Sequence, residues 1–91
     1  MEYIKICVGM TVNFYKDGGM RPLEVCLEDG QRIQIDRVKH LDKALPKTGG
    51  LAVRRYAVSI GGLIRYLYYD AKNLQWFVEK KNENYSSQRF E

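Results

Sequence analysis

The sequence predicts an all-β domain, and three observations carry that prediction. Apolar residues recur with a period of two over most of the chain, the signature of half-buried strands. Glycine pairs and Asp-Gly steps punctuate these runs at hairpin spacing. Seven tyrosines among 91 residues suit a pleated surface, where aromatic rings pack well. Sequential hairpins of this length predict a six-stranded antiparallel meander curled into a small SH3-like barrel or a sandwich, with one irregular loop or short helical turn near residues 38–50. Curling is favoured because it removes exposed edges.

From Ile4 the even positions read Ile4, Ile6, Val8, Met10, Val12 and Phe14, one long strand that Gly9 permits to bend. Asp17-Gly18-Gly19 supplies a turn. The second strand then buries Leu23, Val25 and Leu27, with Phe14 beside Leu23 and Val12 beside Val25. The third buries Ile33 and Ile35. A two-residue turn at Asp29-Gly30 would pair Leu27 with Arg32 and throw Ile33 to the wrong face. Keeping Leu27 beside Ile33 requires a three-residue loop or a bulge, and sets Glu28 opposite Arg32. His40 to Leu45 reads as a helical turn before Pro46, ended by Gly49-Gly50.

Three further strands follow, over about 51–60, 63–69 and 74–80. Gly61-Gly62 makes a two-residue hairpin turn, since both positions accept positive φ. That register pairs Val58 with Arg65, Tyr56 with Leu67 and Arg55 with Tyr68. The loop Asp70–Asn73 then pairs Leu67 with Trp76 and Tyr66 with Phe77. Tyr56, Val58, Ile60, Leu63, Leu67, Leu74, Trp76 and Val78 fall on one face, the core side. Residues 1–80 make one domain, and the polar residues 81–91 read as a fraying tail.

The net charge of +4 is unevenly spread. Between Gln31 and Tyr69 eight basic residues face only Asp36 and Asp42, whereas the first thirty residues are net acidic. Such a field attracts polyanions, although a solvated face can carry the same surplus. Cys7 and Cys26 lack metal-ligand spacing and accompany a single histidine, which argues against a zinc site. The expected register keeps them too far apart for a disulfide. The opening Met1-Glu2-Tyr3 lacks a secretory pattern, and no stretch reaches the roughly 18 apolar residues of a membrane span. The expectation is a cytoplasmic protein with reduced thiols, no membrane partner and no metal or other cofactor.

Leu45-Pro46-Lys47-Thr48-Gly49 matches the string that sortases cleave. It lacks the following apolar span and basic tail of a sorting signal, so it reads as a punctuated loop. Asp36, His40 and Ser59 supply the residue types of a hydrolytic triad without a nucleophile elbow. Asp36 is better read as a loop anchor. The glycine pairs lack the helix and lysine of a phosphate-binding loop. No enzyme is predicted.

Opposite the core face, Arg55, Tyr66, Tyr68, Gln75 and Phe77 point outward as a basic-aromatic platform. Tyrosine and arginine are enriched at protein–protein hot spots, and such platforms also stack single strands. The bland alternative is a second apolar cluster covered by the irregular loop or the tail. The prediction is an interaction module binding a protein partner or a second copy of itself through Arg55, Tyr66, Tyr68 and Phe77. The alternative is single-stranded nucleic acid on the same face, with Lys47, Arg54 and Arg65 on phosphates.

Arg21-Pro22-Leu23, Glu28-Asp29-Gly30, Ile35-Asp36-Arg37-Val38, Arg55-Tyr56, Gly61 and Trp76-Phe77-Val78-Glu79 together resemble an uncharacterised family of short β-rich proteins from Gram-positive bacteria. The resemblance spans about residues 21–80 and implies a β-rich fold and a bacterial cytoplasmic origin, with no activity, substrate or cofactor attached. Lys43, Leu45 and Pro46 replace small residues of that family before Gly49. In strand order alone the chain is also similar to small domains accompanying error-prone DNA polymerases in actinobacteria, which implies a link to DNA repair.

Overall fold

The computed structural model describes residues 2–82. Seven antiparallel strands form one sheet: β1 (Tyr3–Phe14), β2 (Met20–Cys26), β3 (Arg32–Gln34), β4 (Arg37–Ala44), β5 (Val53–Ile60), β6 (Leu63–Asp70) and β7 (Gln75–Lys81). Their order across the sheet is β3-β2-β1-β7-β6-β5-β4. Two meanders, β1–β3 and β4–β7, thus join through β1 and β7, from Tyr3 opposite Lys81 to Val8 opposite Trp76.

The sheet curls into a half-barrel because the link from β3 to β4 is short. Ile35 donates its N–H to the Leu23 carbonyl at 3.0 Å, and Asp36 donates to the Ser59 carbonyl at 2.8 Å. Two adjacent residues therefore tie β2 to β5. Ile35 is buried there in the core with Val25, Tyr56, Val58, Leu67 and Trp76. The Trp76 ring lies 5.2 Å from that of Tyr56 and 4.9 Å from that of Tyr69. Each fully buried side chain of this kind contributes about 1.5–3 kcal/mol.

The Gly61-Gly62 hairpin has the expected register, with Val58 opposite Arg65, Tyr56 opposite Leu67 and Arg55 opposite Tyr68. Both glycines have positive φ, 59° and 82°, as a turn matched to strand twist requires. Elsewhere the registers differ, and in β2 Pro22 is the buried residue where Leu23 was expected. A bulge at Leu23 sets Phe14 opposite Met20 and Val12 opposite Pro22. Val25, not Leu27, faces Ile33, and the three-residue loop is Glu28-Asp29-Gly30, closed by the Leu27 N–H donating to the Gln31 carbonyl. Arg32 therefore pairs with Glu24 at 2.7 Å instead of Glu28. Trp76 faces Tyr69 and Phe77 faces Tyr68, two residues along from the expected partners, because Asp70 pairs with Gln75 and the four-residue loop is 71–74, one residue later than expected. Leu63 and Leu74, assigned to the core, are largely exposed.

The larger correction concerns residues 38–50. His40 to Leu45 is no helical turn: β4 occupies Arg37–Ala44 and makes the seventh strand. It pairs with β5 from Arg37–Ser59 to Ala44–Val53, with an irregularity between Val38 and His40. The hydrogen bonds offered by the free edge of β5 override a local composition compatible with helix. Lys81 belongs to β7, and Asn82 donates its N–H to the Glu2 carbonyl at 2.9 Å. The rest of the expected tail lies outside the described residues.

Candidate interaction site

Register places five residues in one row across the face opposite the core. Asp42, Arg55, Tyr68, Phe77 and Cys7 are successive partners on β4, β5, β6, β7 and β1. Arg55 donates from Nε and Nη2 to both Asp42 oxygens, at 3.0 and 2.8 Å. This bidentate pair raises the arginine pKa further and holds the Asp42 carboxyl below its usual value. The same guanidinium lies 4.8 Å from the Tyr66 ring centroid. Tyr68 and Phe77 stack with centroids 5.1 Å apart and are only 6% and 2% exposed. The expected open platform is thereby corrected. Two of its rings are packed away, its arginine is neutralised, and only Tyr66 and Gln75 remain exposed.

The Lys5 ammonium lies over the Phe77 ring, 4.4 Å from its centroid, and the loop after β4 lines a recess with that ring. Pro46 is buried, the Lys47 ammonium lies 5.0 Å from the Tyr3 ring centroid, and Thr48 reaches Glu79. The Thr48 N–H and hydroxyl both donate to Glu79 Oε2, at 2.7 and 2.8 Å. Burial pushes the Glu79 carboxyl up, but the Thr48 and Lys47 hydrogen bonds outweigh it and hold it below its usual value. Oε1 of the same carboxylate is buried with no hydrogen-bond partner among the described residues. Burial, and then the Glu79 charge, raise the Tyr68 pKa, with Arg55 opposing. The sortase-like string is thus a strap pinned across the sheet.

On the core side, β6 and β7 part company. Their ladder covers only Asp70–Gln75, Tyr69–Trp76 and Tyr68–Phe77. Beyond it, Leu63–Leu67 keep pairing with β5 while Val78–Lys81 pair with β1. The slot opens into a groove of about 700 Å³. Ile6, Val8, Val25, Leu27, Ile33, Ile60, Leu67 and Val78 make its apolar floor, and Tyr3, Ile64, Tyr66, Lys47, Arg65, Lys80 and Lys81 its rim. Arg65, Lys80 and Lys81 are exposed and make no ion pair among the described residues. Glu79, the acidic residue of the rim, is already engaged by the strap.

The structure therefore brings together Lys47, Arg65 and Tyr66 of the predicted site residues. Arg54 lies apart, in a second recess of about 540 Å³ with Lys5, Lys43, Lys72 and Asp70. Lys80, Lys81, Tyr3 and Ile64 were missed; the dibasic step ending an apolar strand was their available signal. The triad types lie near one another along β4 and β5, but the Asp36 and His40 side chains are engaged elsewhere. Asp36 accepts the Gly61 N–H at 2.8 Å, as a loop anchor, and His40 Nε2 is 3.7 Å from Asp42. Cys7 and Cys26 are free thiols. Comparison with family models, with curated proteins and with solved structures finds no match for this chain, so the groove is read from its own chemistry.

Proposed function

We propose that this protein is a non-catalytic interaction module that holds a segment of another protein in the groove between β6 and β7. The observation that carries the reading is the early end of the β6–β7 ladder, which leaves an apolar floor open inside an otherwise paired sheet. An apolar floor with a polar, charged rim is the anatomy of many protein-binding surfaces. A second copy of the chain fits poorly, because two-fold pairing would set Arg65, Lys80 and Lys81 against their own counterparts. Panning a peptide-display library and mapping the selected peptides by amide chemical shifts tests the reading. Shifts are expected at Ile64–Leu67 and Val78–Lys81. Peptides that map elsewhere, or a library that yields none, reject it.

The basic rim with Tyr66 supports a second reading, single-stranded nucleic acid in the same groove. Phosphate contacts release counterions, so binding of a mixed oligonucleotide pool should then weaken about tenfold or more between roughly 50 and 200 mM salt. A titration flat over that range rejects this alternative.

A further inference from the structure

The slot has a backbone chemistry of its own. In a two-residue hairpin the residues flanking the turn exchange hydrogen bonds, here Ile60 and Leu63. Every second residue of β6 from Leu63 thus directs its peptide groups to β5. Ile64 and Tyr66 direct theirs the other way, into the slot. Tyr68 shares their phase and meets Phe77, so on β7 it is Glu79 and Lys81 whose peptide groups face the same gap. Asn82 has the opposite phase and accordingly bonds to Glu2 on the β1 side. Among the described residues two strand edges therefore face each other unpaired, and unpaired edges are templates for another strand.

Charge selects the occupant. Strand alternation puts Arg65 and Lys80 on the face of Leu67 and Val78, and Lys81 on the opposite face, where exposed Lys47 lies over Tyr3, the cross-strand partner of Lys81. On that face the Glu79 carboxylate is held by Thr48. The floor beneath is aliphatic, whereas stacking of bases would need exposed rings there. We infer that a partner adds to the free edge of β6 as an extra strand, through an extended segment whose side chains alternate between apolar, toward the floor, and acidic, toward Lys47 and Lys81 on the opposite face. This deepens the proposed groove function and rests on it.

The test is a titration with a peptide as long as β6, 8 residues, alternating valine and aspartate. Its controls are a valine–lysine counterpart and a valine–aspartate peptide methylated on alternate amides. The aspartate peptide should bind and slow hydrogen exchange at the Ile64 and Tyr66 amides, while both controls should be weaker by about tenfold or more. Lys47→Glu combined with Lys81→Glu, both at exposed positions, should lose the same factor with an unchanged circular dichroism spectrum. Groove binding that leaves those two amides unprotected and ignores methylation overturns strand addition while the groove function stands. If display-selected neutral peptides bind but the aspartate peptide does not, the acidic assignment fails. If neither binds, both readings fail. Protection by oligonucleotides instead of peptide assigns the slot to nucleic acid and overturns the inference.

Discussion

Glu79 and Thr48 are far apart in sequence, yet their two hydrogen bonds hold the strap on the face of Tyr68 and Phe77. Thr48→Val removes one hydroxyl donor and should cost about 1 kcal/mol by chemical denaturation. Because the Glu79 carboxyl titrates below its ordinary value of 4.5, its contribution is present above that pH. It is lost as pH falls through the depressed value. The Thr48 amide resonance should therefore move with that acid transition, and the step should vanish in Glu79→Gln. Tyr68 has the opposite sense. Its contribution is present below the ordinary value of 10.0 and lost as pH rises through the raised one. At this scale the sequence was partly legible. Tyr68 and Phe77 are correctly placed opposite the core, but nothing local to either shows that they would be buried there, since the residues around them come from other parts of the chain.

Turns were legible where one conformation dominated. Gly61-Gly62 accepts the positive φ that a two-residue hairpin turn needs, and the β5–β6 register follows from it; alanine at either position should cost more than about 1 kcal/mol, because φ is positive there. The β6–β7 loop offered no such signal. It is organised by Asp70, whose carboxylate accepts the Lys72 and Asn73 amides at 3.0 and 3.2 Å, and it ends at Leu74 with φ of 55°. A leucine in that region is strained by roughly 1 kcal/mol, and its side chain is 77% exposed. Leu74→Gly should therefore raise stability slightly, up to about 1 kcal/mol in urea melts, with no loss of packing. β4 was illegible for another reason. Its residues have no strong preference, and the free edge of β5 decides their conformation.

Period-two alternation was enough to assign the class of fold and most of the core, because burial on a curled sheet depends on phase rather than on register. Leu67, 2% exposed, is central to that core, and Leu67→Ala should cost about 2–5 kcal/mol in denaturant unfolding. For a domain whose total stability is of order 5–15 kcal/mol, that is a large share. The slot was not legible, since β6 and β7 are each held on their outer edge, by β5 and β1, and nothing in their alternation fixes where their facing edges stop pairing; among the described residues that ladder ends at Tyr68–Phe77. The β1–β7 seam has a kinetic consequence. Ile4 and Lys80 are partners from opposite ends of the described chain, so each meander can form from local hairpins while the seam waits for a long loop to close. During synthesis the first three strands emerge with β1 unpartnered on one side until β7 follows, an interval in which that edge is open to wrong neighbours. Joining Asn82 to Glu2 through a short linker and opening the chain at Asp29-Gly30 would turn the slowest contact into a hairpin, and such a permuted chain should refold faster than the original.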